Sequence, residues 1–285
     1  MSIRIITDSA SDILQADAKA LGIEVIPLKT IFGEEEYLDG VTIDHTTFYN
    51  RLIESDVLPT TSQIAPYEYE ERFRAAVEAG DEVLCITVSS RLSGCNQSAN
   101  IAAAEFPGKV VVVDSLNVAI GEWALVRLAM DARDKGKSLH EISELLNEER
   151  HHIRLIALLD TLEYLRRGGR ISGAVALAGS LLAIKPVVCI EDGEIKILGK
   201  ARGSKKANNL LAEQINRDGV DFSMPLLLGY TGLSDDMLRQ YIRDSQALWK
   251  DHVDTLDCVQ LCSVIGTHAG PGAVAVAYFK SGEVK

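Results

Sequence analysis

The chain is poor in positive charge: 29 Lys and Arg stand against 41 Asp and Glu, a formal net charge of -12 over 285 residues. That balance repels phosphate backbones and anionic bilayers alike, so nucleic acid and membrane surfaces are poor partners. Cysteine is scarce as well. The five present, Cys85, Cys95, Cys189, Cys258 and Cys262, are odd in number, lack C-x-x-C spacing and fall mostly in apolar runs. They read as buried reduced thiols, not as a disulfide framework or a metal site. No uncharged run can span a bilayer: the longest, Ile171 to Ile184, ends at Lys185-Pro186. No charged-then-apolar leader precedes the first strand pattern, which makes a cytoplasmic location the expectation. Internal repeats and the G-x-x-x-x-G-K-S/T and G-x-G-x-x-G phosphate-binding runs are missing too.

What remains is a chain 47% apolar, long enough to bury a sizeable core. Its organising stretch is Val83-Leu84-Cys85-Ile86-Thr87-Val88, then Ser89-Ser90-Arg91-Leu92-Ser93-Gly94, then a small-residue run from Cys95 to Ala104. A β-rich run, a hydroxyl-rich loop with a glycine and a helical segment follow one another without a gap. Free N–H groups at the helix start and the hydroxyls of Ser89, Ser90 and Ser93 suit an anion. Ser93 has a plainer role open to it as a helix cap.

The same strand, polar tip and helix recur at Ile3 to Leu21, with tip Asp8-Ser9, and at Lys109 to Lys135, with tip Asp114-Ser115. In parallel α/β sheets ligands bind beyond the carboxyl ends of the strands, so these tips are expected to converge. Asp8 and Asp114 suit caps or supports for the loop hydroxyls better than contact with an anion of like charge. Beyond Leu155 the texture changes. Gly168-Gly169-Arg170 breaks a short helix, Ile171 to Ile184 is apolar on every face, and Glu191-Asp192-Gly193-Glu194 turns a hairpin. A Gly-rich loop, Gly266 to Gly272, carries His268. The seam between two α/β domains is expected in the 150s, giving units 1–153 and 154–285.

Thr7-Asp8-Ser9, Thr61-Ser62-Gln63, Leu92-Ser93-Gly94, Gln97-Ser98-Ala99, Gly168-Gly169-Arg170-Ile171, Ile184-Lys185-Pro186 and Gly266-Thr267-His268 with Gly270-Pro271-Gly272 occur in this order along the chain. Together they resemble the DegV family, whose members bind long-chain fatty acids and, where a fatty acid kinase is present, serve as its acyl-carrying subunit. The resemblance implies a Rossmann-like parallel sheet in the first domain, a mixed sheet with helices in the second and a ligand tunnel between them. It implies that Thr61 and Ser93 bind the carboxylate beside Ser62, Gly94 and His268. Asp8, Ser9, Asp114, Arg170 and Thr267 are then supporting or nearby residues, and Arg202 a docking point for the kinase. It implies a non-catalytic carrier with no cofactor or metal, the fatty acid being its ligand. Two positions depart from the family pattern: Cys95-Asn96, where relatives usually have Thr-Tyr, and Ile64, where many have Pro.

Tail burial supplies about 0.8 kcal/mol per methylene, on the order of 10 kcal/mol for a long chain before the costs of association. A buried carboxylate needs donors in compensation. The competing reading is a serine-dependent acyl hydrolase using Ser93 and His268 with Asp114 as orienter; a G-x-S-x-G elbow is absent.

Overall fold

The computed structural model describes residues 2–171 and 184–281. The all-apolar segment expected from Ile171 to Ile184 therefore lies, but for its two end residues, outside the described residues. The first layer is a parallel sheet of β1 (Ile3–Asp8), β2 (Ile23–Ile26), β6 (Glu82–Thr87) and β7 (Val110–Asp114) in the order β2-β1-β6-β7. Its centre is covered on both sides, so neighbouring residues of one strand, Ile5 and Ile6, are both fully buried, as are Leu84 and Cys85. One face carries α3 (Pro66–Glu78) and α4 (Cys95–Ala103), and the other α5 (Ile120–Asp134) and α6 (Leu139–Glu149). Helix α1 (Gln15–Leu21) packs beside β2.

The second sheet is mixed, with β8 (Ile153–Leu158), β9 (Ile184–Glu191), β10 (Glu194–Arg202), β11 (Leu227–Tyr230), β12 (Asp257–Gln260) and β13 (Val274–Phe279) in the order β10-β9-β8-β13-β11-β12. One face is covered by α8 (Ser204–Asp218) and α9 (Asp236–Asp244). Helix α5 is a wall common to both sheets: it touches β1 and β6 on one side and β8, β11 and β13 on the other. Its run from Ile120 to Val126 is buried all round.

A third, small sheet joins β3 (Lys29–Phe32), β4 (Glu35–Leu38) and β5 (Thr60–Ser62), all antiparallel. Residues 23–32 do not run on as one strand but divide at Pro27 between two sheets, because proline has no N–H to give a ladder. Helix α2 (His45–Glu54) packs Phe48, Tyr49 and Leu52 beneath this sheet. Two short helices complete the frame, α7 (Glu163–Arg167) and α10 (Ser263–Ala269). Four of the cysteines are buried and free; Cys258 departs from the expectation, exposed on edge strand β12.

One backbone outlier faces the space between the two larger sheets. Ala119, just before α5, has φ 57 and ψ -143, in a region natural to glycine, and its N–H donates to Ala10 O at 2.7 Å. Such strain costs on the order of 1–3 kcal/mol, partly offset in a glycine variant by the greater freedom of its unfolded chain. Ala119→Gly is therefore expected to stabilise the fold by about 1 kcal/mol, read as a rise of roughly 2–4 °C in Tm by scanning calorimetry. A fall in Tm would show instead that packing of the methyl group outweighs the strain.

Candidate functional site

A cavity of about 390 Å³ lies beyond the carboxyl ends of the parallel strands, against the face of the mixed sheet. Its long wall is aliphatic, from Val118 and Ala119 across Leu155, Ala157, Ile190 and Ala275. One part is polar, formed by Thr61, Ser62, Gln63, Ser93, Gly94, Arg170 and His268. Gln63 is exposed, so this polar part lies near the surface.

Each polar residue is presented by a different element. Thr61 stands on β5, where it pairs with Thr30 of β3. Its Oγ1 lies 2.9 Å from Nε2 of His268. His268 is not on a loop: it sits in the last turn of α10, and Gly270 begins the turn beyond. The ring is desolvated and faces the Arg170 cation, which together push its pKa from 6.5 down to about 4. It is thus neutral near pH 7, and its Nδ1 is buried without a partner. Gly168 makes room for that nitrogen, since a Cβ there would overlap Nδ1. Gly168-Gly169 therefore does more than break a helix, although two adjacent glycines gave no sign of which ring they admit.

Ser93 precedes α4. Its Oγ accepts weakly from Cys95 N at 3.3 Å and lies 3.2 Å from Cys95 Sγ. The hydroxyl, one residue before the Gly94 N-cap, meets the first helical N–H and lines the cavity at once. Gly94 allows the close approach of Gln63, whose Nε2 donates to Ser98 Oγ at 3.2 Å. Arg170 is spent locally, with Nε donating to Leu92 O at 3.0 Å and Nη1 to Gly168 O at 2.6 Å; burial lowers its pKa. The departures from the family pattern are accommodated: Asn96 donates to Thr87 Oγ1 at 3.0 Å, and Ile64 and Cys95 are buried.

The other residues singled out from the sequence brace this arrangement without lining the cavity. Asp8 accepts from Val88 N at 2.8 Å and Ala10 N at 3.0 Å, holding backbone where hydroxyls had been expected. Ser9 Oγ accepts from Leu28 N, Asp114 Oδ1 from Ser90 N and Leu116 N, and Thr267 Oγ1 donates to Ser263 O. Ser89 is turned away, donating to Gly193 O at 2.8 Å in the β9–β10 turn, and Ser90 is exposed. The three strand tips do converge, but as a scaffold that presents Ser93 alone of the loop serines. Arg202 is exposed at the end of β10 and does not line the cavity.

A Ser93–His268–Asp114 relay is not assembled. His268 Nε2 engages Thr61, its Nδ1 is unpartnered, and Asp114 Oδ1 is held by two backbone N–H groups. No group of three or more His, Cys, Asp or Glu among the described residues is placed to hold a metal ion, and no described helix is long and apolar enough to cross a membrane.

Comparison with known proteins adds ancestry to this geometry. A DegV domain-containing protein of Deinococcus radiodurans is 36% identical over 279 residues, covering 97% of this chain and 98% of the relative. Among solved structures, a DegV family protein of Thermus thermophilus described for its fatty acid binding superposes with a TM-score of 0.87 at 32% identity, over 99% of this chain and 100% of that one. DegV of Bacillus subtilis, described as a fatty acid binding protein, gives a TM-score of 0.84 at 28% identity over 99% of this chain and 100% of that one. The family model described as "Uncharacterised protein, DegV family" matches residues 2–281, and the chain belongs to the DegV family.

Proposed function

We propose that this protein binds one long-chain fatty acid, enclosing the tail between its two larger sheets and holding the carboxylate at Thr61, Ser93 and His268. The carrying observation is the cavity itself: an aliphatic wall with its polar groups gathered at one end, near the surface. Its volume, about 390 Å³, falls in the range of ~300–1,000 Å³ typical of small-molecule sites. The fatty acid binding described for the Thermus and Bacillus relatives supports the same reading.

On this reading the units 1–153 and 154–285 close around the tail. The hydroxyls of Thr61 and Ser93 donate to the carboxylate. His268, neutral when the site is empty, gains a reason to hold a proton once an anion lies beside it. Tail burial drives the association and the donors offset desolvation of the head group. A carboxylate near the surface can be offered to a fatty acid kinase for acyl phosphate formation, with Arg202 on the outer face as a docking residue, so that the protein acts as a cytoplasmic carrier and not as an enzyme. The unformed Ser93–His268–Asp114 relay supports the carrier over the hydrolase.

Mass spectrometry of an organic extract of the purified protein, loaded with mixed fatty acids and desalted, is expected to show about one fatty acid per chain. Ser93→Ala is expected to weaken retention of the acid about tenfold, with Tm shifted by less than about 2 °C, since one hydrogen bond to a charged group is worth on the order of 1.5–3 kcal/mol. Empty wild-type protein after loading would sink the reading, and sustained ester turnover lost in Ser93→Ala would restore the hydrolase.

A further inference from the structure

Helix α10, which carries His268, is not held in place by its own sequence. Its seven residues include Gly266 and Thr267, too short and too poor in helix formers to persist alone. Its first N–H groups are taken up by two buried aspartate side chains from the other end of the chain. Cys262 N donates to Asp12 Oδ1 at 2.8 Å, and Ser263 N to Asp39 Oδ1 at 3.0 Å.

Asp39 does more than cap. The Ser263 hydroxyl also donates to Asp39 Oδ1, at 2.6 Å, and so is free to accept from the Thr30 hydroxyl 2.9 Å away. Thr30 of β3 is the direct strand partner of Thr61 of β5. One helix is thus tied twice to neighbouring residues of one small sheet, Ser263 to Thr30 and His268 to Thr61. The two ties lie five helical residues apart, about 7.5 Å along the axis and well apart around it. Together they fix both sliding and rotation of the helix. A movement of about 1 Å along the line of the 2.9 Å contact between Thr61 and His268 takes it out of hydrogen-bonding range.

We propose that Asp39 is a positioning residue for the head-group site: by holding Ser263 it sets the register of α10 that lets His268 reach Thr61. This rests on the reading of Thr61 and His268 as part of that site. Asp12 and the Tyr49 hydroxyl, which donates to Leu261 O at 2.8 Å, hold the chain just before the helix; Asp39 grips its first residue. The Oδ1 of an asparagine can accept the same two bonds, whereas alanine offers neither.

The test follows the His268 ring by NMR in full-length, ligand-free protein with labelled histidine. Arg170, the charged group facing the ring, is the same in every variant. Wild type and Asp39→Asn are expected to titrate at the same low pH with the same ring tautomer. Asp39→Ala is expected to raise the midpoint by at least about one unit and lose the tautomer preference. Its preference for palmitate over hexadecanol should fall about tenfold, with affinity for the alcohol unchanged. An unaltered His268 titration in Asp39→Ala overturns the proposal, whatever happens to its Tm. If Asp39→Ala does not fold, Ser263→Ala removes both hydroxyl bonds but keeps the backbone one, and an unaltered titration there overturns it equally. If wild type binds no fatty acid, the proposed function fails while the ring titration still decides the role of Asp39.

Discussion

Raising the pH from 6.5 to 8 is expected to lower the Tm by at least roughly 4 °C, a loss across a range in which most proteins change little. The cause is a set of buried acids under the loops. Burial raises Asp8 to about 7 and Asp12 to about 8, and lifts Glu122 well above its usual 4.5. Glu122, on the shared wall α5, receives one bond from Thr7 Oγ1 at 3.0 Å, and its Oε2 has no partner. An acid whose pKa is higher folded than unfolded keeps its proton in the fold after the unfolded chain has released it. Stability from these groups is full below pH ~4 and falls by about 1.4 kcal/mol per group per unit as pH rises toward the folded pKa. His268 works in the opposite sense, because its pKa is lowered to about 4, but most of its effect is already present at pH 6.5. Exposed Glu163, held near 2 by Arg166 and Arg167, acts only in stronger acid. Asp8 and Asp12 together then lose about 2 kcal/mol between pH 6.5 and 8, and Glu122 acts in the same direction. Glu122→Gln should raise the Tm at pH 8 and flatten the slope; a Tm that is level or climbs from pH 6.5 to 8 in wild type would show these carboxyls to be ionised in the fold.

The second large effect is expected from a single methyl group. Gly168 caps α7 with φ -71 and ψ -7, a conformation that alanine adopts freely, so Gly168→Ala carries no backbone penalty. Its new Cβ would occupy the place of His268 Nδ1, forcing the ring away from Thr61. If the site holds a carboxylate, affinity for palmitate should fall about 10- to 100-fold, as for loss of a hydrogen bond to a charged group. Affinity for hexadecanol should hold. Equal losses for both ligands would mean that the tail wall, not the head group, had moved.

Much of this was legible in the residues because local signals agreed. The run from Val83 to Ala104 is a buried strand, a tight loop and a small-residue helix at every level of reading, and it appears as β6, the loop and α4. Pro66 in the first turn of α3 and Ser138 with Glu141 at the start of α6 are equally self-contained. What escaped was stabilised from far away. The helical state of Ser263–Ala269 depends on Asp12 and Asp39, which no local pattern around His268 discloses. Thr60–Ser62 is a polar three-residue strand that exists because β3 offers it a ladder. Asp257–Gln260 is an edge strand without a continuous apolar run. Ser89 looked like a donor to an anion because its loop is rich in hydroxyls; its actual partner, Gly193 O, belongs to a hairpin more than a hundred residues later.

The clamp on α10 also bears on how the protein acquires its structure. Asp12 meets Cys262 across 250 residues, and Thr61 meets His268 across 207. Contacts so distant in sequence are reached only after a large loop-closure cost, which makes folding slow and places their formation late. The parallel sheet and α5 lie within the first 134 residues and can collapse before the last segments arrive. The polar end of the cavity cannot, because its histidine arrives with the segment that folds back across the whole chain. Binding competence and the completed fold are thus one event, and a partly folded intermediate holds the scaffold of the site without the site.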